Sequence, residues 1–227
     1  MSETRSVPGT QTLARGLSSL ELVAQAPDGV AIQDIADQLG VHRSIASRLL
    51  ATLADFKLVV RGADGRYRVG SGLAALASGI HTTLRVAAEP ILRELAERLG
   101  ATVTLLVAEG DEAVGLSVVS PARSQYHLAF QTGGRHPLGV AAGGVALLAG
   151  MPPRPGESAR VAEAREQGYA QTFGEVEPGA YGVAVALPQI AGVPAACLNL
   201  ITHRAEIAAE APAALIDAAK RLAASLG

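Results

Sequence analysis

Five hydrogen-bonding side chains, His42, Arg43, Ser44, Ser47 and Arg48, fall within the seven residues His42-Arg-Ser-Ile-Ala-Ser-Arg48. At helical spacing they occupy the first two turns of one element, and each can reach a phosphate oxygen or a base edge. Arg43 suits a bidentate contact to guanine, worth roughly 1–3 kcal/mol of discrimination. Arg61, Arg66 and Arg68 flank Gly62-Ala-Asp-Gly65, whose Asp-Gly marks a hairpin turn. Arginines around such a tip suit phosphate or minor-groove contact, and Gln33 and Thr12 could touch phosphate from the flanks. Residues 40–70 hold six Lys or Arg against two Asp, a net +4 in a chain whose total is −2. The remainder therefore carries −6, so this segment alone points to a polyanion. Two plainer readings stay open. The patch could be a solvated face, or the module could dock a protein, with Arg48 pairing to Asp55 or Asp37.

Other candidates for chemistry fall short. The run Gly139 to Gly144 lacks the Lys and Ser or Thr of a phosphate loop. Cys197 and His203 flank an apolar strand and should not meet. Cys197, the single cysteine, reads as a small buried hydrophobe and rules out an intrachain disulfide. The five histidines show no metal-ligand spacing, and Glu109, Asp111 and Glu112 read as a solvated hairpin tip. No catalytic residue, metal site or cofactor is expected.

The elements that must position these residues follow from apolar periodicity. Leu13 to Ala26 carries a stripe at Leu13, Leu17, Leu20 and Val23, closed by Pro27-Asp-Gly29. Ile32 to Leu39 is a second helix with Gly40 as its cap. Arg43 to Phe56 is a third, with Ile45, Leu49, Leu50 and Leu53 inward. Two short strands, Leu58–Arg61 and Arg66–Val69, complete a winged helix-turn-helix, in which the third helix enters the major groove. Ser71 to Ile80 and Leu84 to Leu99 are helical, with a kink or restart at Pro90, and connect two domains.

From Gly100 the period becomes that of strands. Thr102–Ala108 and Ala113–Val119 form a hairpin, and Tyr126–Phe130 is a further strand. Val140–Ala149 and Glu157–Gln167 are helices, then Tyr169–Thr172, Gly182–Leu187 and Ala195–Ile201 are strands, and Arg204–Leu226 is a final helix. Strand hairpins with grouped helices indicate an α+β sensor domain. Hydrophobic residues reach 49% but aromatics only 3%, so the core must be built from Ala, Val, Leu and Ile. The polar N-terminus and the lack of a long charge-free apolar run predict a cytoplasmic protein without a membrane span.

Several motifs in fixed order carry a resemblance. They are Leu13-Ala-Arg-Gly-Leu17, Leu20-Glu-Leu-Val-Ala24, Asp34-Ile-Ala-Asp-Gln-Leu-Gly-Val41, Ser47-Arg-Leu-Leu-Ala-Thr-Leu53 and Tyr67-Arg-Val-Gly70. Pro137-Leu138, Gly143-Gly-Val-Ala-Leu-Leu-Ala149, Arg165-Glu-Gln-Gly-Tyr-Ala170 and Glu177-Pro-Gly179 follow. In this order the chain resembles the IclR family of bacterial regulators from about residue 11 to its end. The resemblance implies an arm over 1–10, a winged helix-turn-helix over 11–70, a connector over 71–83 and a GAF-like effector-binding, oligomerising domain over 84–227. It implies double-stranded operator DNA, a small organic or aromatic acid, and a homodimer or tetramer as partners, with activation or repression of catabolic genes. The connector helices would then tune the spacing of two recognition helices.

The same resemblance places an effector at the backbone amides of Ala142 and Gly143, a helix start that favours anions. Thr172, Gly182 and Asn199 would line the site, with Ile201 just beyond. Where relatives that bind small acids carry Asp, Cys and two Ser, this chain has Thr172, Gly182, Asn199 and Ile201. That departure predicts a roomier, more apolar pocket for a bulkier ligand such as an aromatic acid. The short stretch from Ala149 to Glu157 would open the pocket or abolish binding. Thr172 and Asn199 equally suit satisfying local backbone groups.

Overall fold

The computed structural model describes residues 10–122 and 131–226. The chain divides into two compact units, Met1–Ile80 and His81–Gly227. In the first, α1 (Gln11–Ala24), α2 (Ile32–Leu39) and α3 (Arg43–Asp55) precede a hairpin of β1 (Val59–Arg61) and β2 (Tyr67–Val69). A short α4 (Gly72–Ala77) follows. α2 stops because Gly40 adopts a left-handed backbone, φ +61°, and Val41 N–H returns to the Ala36 carbonyl at 3.0 Å; glycine takes this conformation without the steric cost of a Cβ. Val23, Ile35, Ala46, Leu50 and Val59 anchor the core.

One inward assignment, Ile45, is corrected. On α3 the buried positions are Ala46, Leu49, Leu50 and Leu53, while Ile45 is 39% exposed. A 3-1-3 spacing defines one helix face, and Ile45 sits a residue off it. On α1, Leu13 and Leu17 are more than half exposed, and burial begins at Ser19 and Val23. Tyr67 exchanges backbone bonds with Val30 (3.0 and 2.8 Å), which stitches the hairpin to the α1–α2 turn.

The second unit stacks three layers. Its middle is an antiparallel sheet in the order β5-β4-β3-β8-β7-β6. The strands are β3 (Thr102–Glu109), β4 (Glu112–Val119), β5 (Arg135–Pro137), β6 (Ala170–Phe173), β7 (Tyr181–Ala186) and β8 (Ala196–Thr202). α5 (Thr82–Leu99) and α8 (Ala205–Leu226) cover one face, and α6 (Ala141–Gly150) and α7 (Ala159–Gln167) the other. α5 runs through Pro90 as one helix, with no restart.

Strand alternation explains the layering. Val103, Leu105 and Val107 of β3, with Leu198 and Leu200 of β8, join the α5–α8 core. Leu106 and Cys197, one residue out of phase, join the α6–α7 core. Asn199 and Ile201 share the parity of Cys197, so the strand period itself turns them toward α6. β5 was not foreseen, and the expected Tyr126–Phe130 strand lies outside the described residues. No described helix is long and apolar enough to cross a membrane.

Candidate functional site

The first unit presents the basic cluster at the start of α3. His42 is the N-cap: its Nδ1 accepts from the Ser44 backbone N–H at 3.3 Å and lies 2.8 Å from Ser44 Oγ. A side-chain acceptor there satisfies an amide that the helix cannot. Arg43, Ser44 and Arg48 are exposed and Ser47 is half-buried. Neither Arg43 nor Arg48 forms an ion pair among the described residues, so the suggested pairing of Arg48 to Asp55 or Asp37 is absent there. Gln33 is exposed on α2 but donates to Asp37 at 2.8 Å.

The three hairpin arginines differ. Arg68 donates to both carboxylate oxygens of Asp64, at 3.1 and 2.7 Å, and to the Asp28 carbonyl at 2.9 Å. That hydrogen-bonded guanidinium holds the Asp64 carboxyl down at about 2. Arg66 donates to the Gly29 carbonyl at 2.8 Å. Arg61 has no carboxylate partner among the described residues; it lies over the Tyr67 ring, 5.9 Å from its centroid, and reaches the Gly65 carbonyl at 3.4 Å. Arg66 and Arg68 therefore build the wing onto the Asp28-Gly29 turn, and of the three only Arg68 is paired with a carboxylate among the described residues.

In the second unit Ala142, Gly143, Thr172, Gly182 and Asn199, with Ile201, line one cavity between α6 and the sheet. Register accounts for this: Thr172 pairs with Gly182, and Gly182 with Ile201, across β6, β7 and β8. Asn199 is buried and donates from Nδ2 to Thr104 Oγ1 at 3.1 Å. The hollow at these residues is small, about 30 Å³, not the roomier pocket expected from Gly182. Its neighbours have closed in. A Cβ on Gly182 would lie 3.1 Å from Thr172 Oγ1 and 3.3 Å from Ala142 Cβ, and one on Gly143 only 2.2 Å from Leu106 Cδ1.

Three residues at this site escaped sequence reasoning. Glu175 Oε2 accepts the Ala141 amide at 2.9 Å, and Arg160 donates to Glu175 Oε1 at 2.7 Å. His136 lines the cavity; its Nε2 is buried with no hydrogen-bond partner among the described residues, and burial lowers its pKa below the ordinary histidine value. His136 lies on the unforeseen β5, so no sequence signal placed it. Glu175 stands two residues before Glu177-Pro-Gly179, and no spacing in the sequence shows that its carboxylate meets the start of α6. Thr172 Oγ1 accepts the Ala142 amide at 3.1 Å.

The stretch after α6 is held by Arg165. Its guanidinium donates to the carbonyls of Leu148 (3.3 Å), Ala149 and Met151 (2.6 Å), and to Glu157 Oε2 at 2.8 Å. A cation on the last carbonyls of a helix satisfies groups that have no intrahelical donor and opposes the helix dipole favourably. Among the described residues no group of His, Cys, Asp and Glu could hold a metal. Cys197 is fully buried, and desolvation pushes its thiol far above the ordinary range, which keeps it protonated and inert.

The IclR helix-turn-helix domain model matches residues 12–62, and the model of the bacterial transcriptional regulator IclR C-terminal domain matches 78–159. An HTH-type transcriptional regulator of Mycobacterium tuberculosis is 37% identical over 146 residues, 64% of this chain and 56% of that protein. The transcriptional repressor IclR of Escherichia coli is 31% identical over 144 residues, 61% and 52% of the two chains. The chain thus spans a little over half the length of the curated relatives it matches. An IclR homolog from Microbacterium hydrocarbonoxydans, complexed with 4-hydroxybenzoate, superposes with a TM-score of 0.77 at 26% identity, covering 95% of this chain and 99% of that one. The Thermotoga maritima IclR structure matches at TM-score 0.76 and 23% identity, covering 95% and 98%.

Proposed function

The chain belongs to the IclR family of bacterial transcriptional regulators, and from that premise we propose that it binds operator DNA through α3 and the wing, under control of a small molecule received between α6 and the sheet. The relatives are named regulators and repressors, a non-enzymatic family. One observation carries the DNA reading: Arg43 and Arg48 stand exposed on α3 without a carboxylate partner among the described residues, inside a segment of net +4. Such cations are poised to release counterions from a duplex. Each chain offers one recognition helix, so a homodimer reading two half-sites is part of the proposal.

The effector half rests on the convergence of Thr172, Gly182 and Asn199 at the start of α6. Effector and DNA must then change each other's affinity by the same factor. The family resemblance points to an organic or aromatic acid, but Thr172 and Glu175 already hold the amides of Ala142 and Ala141.

A salt titration tests the reading. Binding to duplex DNA should weaken steeply as salt rises, by about one log–log unit for each phosphate contacted. Arg43→Ala should reduce preference for the operator over random duplex by roughly tenfold, the scale of one base contact. A flat salt response would point instead to a protein-docking module.

A further inference from the structure

Resting on the reading of α3 as the recognition helix, we propose that His42 is a positioning residue that fixes the hydrogen-bonding polarity of Ser44: it takes the hydroxyl proton, so Ser44 Oγ meets DNA as an acceptor and selects a base that presents an amino group. The bond pattern at the start of α3 sets this. The backbone N–H of Ser44 donates to His42 Nδ1 at 3.3 Å, and Ser44 Oγ lies 2.8 Å from the same nitrogen. A backbone amide can only donate, so Nδ1 is the acceptor of the ring and carries no proton. The hydroxyl then holds the only proton available for the 2.8 Å contact, and it donates.

The consequence for recognition follows from counting protons. A serine hydroxyl has one proton and two acceptor lone pairs. With the proton given to His42, only the lone pairs of Ser44 remain for DNA. Phosphate oxygens only accept, so they have nothing to offer this hydroxyl. In the major groove the donors are the amino groups of adenine, N6, and cytosine, N4. A contact from Ser44 therefore falls on a base edge and carries sequence information. Arg43 and Arg48, which only donate, serve phosphate and base alike.

The surroundings agree. His42, Arg43 and Ser44 are all exposed at the start of α3, where a recognition helix meets base edges. His42 has φ −66° and ψ 144°, the extended backbone of a capping residue. The amide that holds the ring is one that the helix itself cannot satisfy, so the cap and the polarity of Ser44 are one arrangement. With Nδ1 an acceptor, the ring proton sits on Nε2. The two side chains thus present one donor, His42 Nε2, and one acceptor, Ser44 Oγ, each of fixed identity.

The test uses the full chain and the duplex that it selects best from a pool of random-sequence duplexes. Each adenine or cytosine of that duplex is replaced in turn, once by an analogue lacking the amino group and once by the matching base with a keto oxygen there, hypoxanthine or uracil, suitably paired. At one position the keto base should weaken wild type roughly tenfold, and more than the amino-less analogue does, because lone pairs then face lone pairs. Ser44→Ala should lose that difference. His42→Ala frees the hydroxyl to turn and donate, so its keto penalty at the same position should shrink to about threefold or less. His42→Asn, whose side-chain oxygen accepts as Nδ1 does, guards against a frayed helix and should restore the wild-type pattern. A wild-type keto penalty no larger than the amino-less one, or the same penalty in wild type, Ser44→Ala and His42→Ala, would overturn the polarity assigned to Ser44 while leaving α3 as the recognition helix. Failure of wild type to enrich any duplex would overturn the DNA reading, and this inference with it.

Discussion

Arg61 and Arg68 carry the same charge on one hairpin but meet different surroundings, and substitution should separate them. Arg61 has no carboxylate partner among the described residues, so Arg61→Ala should lower the salt dependence of DNA binding by about one log–log unit, as for one lost phosphate contact, and leave thermal stability nearly unchanged. Arg68 is committed to Asp64 and the Asp28 carbonyl. Arg68→Ala should lower the melting temperature of the first unit and leave the salt slope close to wild type. The pair also has a pH signature. The Asp64 carboxyl is depressed from 3.8 to about 2, so the native state holds the charged form more firmly than the unfolded chain does. Its contribution is full above about pH 4 and disappears as pH falls toward 2. Thermal melts across that window should converge for wild type and Arg68→Ala. A salt slope that falls equally in both variants would mean that Asp64 yields Arg68 to the DNA.

Elements are legible in sequence where local chemistry decides them, and illegible where a distant neighbour does. Gly40 ends α2 and Gly168 ends α7, both left-handed, because a glycine after an apolar stripe has few alternatives. The five pocket residues, which the family resemblance named, line one cavity: Thr172, Gly182 and Asn199 from the sheet, Ala142 and Gly143 from α6. Periodicity marked Leu13 and Leu17 as a stripe but contains nothing about what covers it, and they stand exposed. Pocket size is illegible for the same reason: an absent side chain at Gly182 says nothing about how near Thr172 and Ala142 stand to it. Arg165 shows what packing adds. It ties the end of α6 to Glu157 across the short stretch that sequence could only mark as abbreviated. Arg165→Met should destabilise the second unit by about 2–3 kcal/mol in urea unfolding, since it removes the guanidinium donor from the part-buried Ala149 and Met151 carbonyls and from Glu157. Arg165→Lys should recover only part of that loss, because an ammonium cannot span the same acceptors as a planar guanidinium. Full rescue by lysine would show that charge at the helix end matters more than the fork.

At the scale of the molecule, the two units draw on separate cores. Val23, Ile35, Leu50 and Tyr67 belong wholly to the first, while the sheet and its two helical layers are built only from residues beyond His81. A core that borrows nothing across the boundary can fold alone. A fragment spanning residues 81–227 should therefore unfold cooperatively in urea, with a midpoint near that of the second unit in the whole chain. A fragment spanning 1–80 should show native helical circular dichroism but lower stability, because a domain of that size buries a smaller fraction of its surface. Function should divide along the same line. The 1–80 fragment should keep a salt-dependent affinity for duplex DNA yet lose any response to a pocket ligand, and the 81–227 fragment should bind ligand with wild-type selectivity and no DNA. If DNA affinity falls by orders of magnitude in the smaller fragment, the missing factor is the pairing of two recognition helices. Fusing that fragment to an unrelated dimerising coiled coil should restore affinity without restoring ligand control. Should the fused fragment still fail on operator DNA, α3 and its wing do not make the contacts assigned to them.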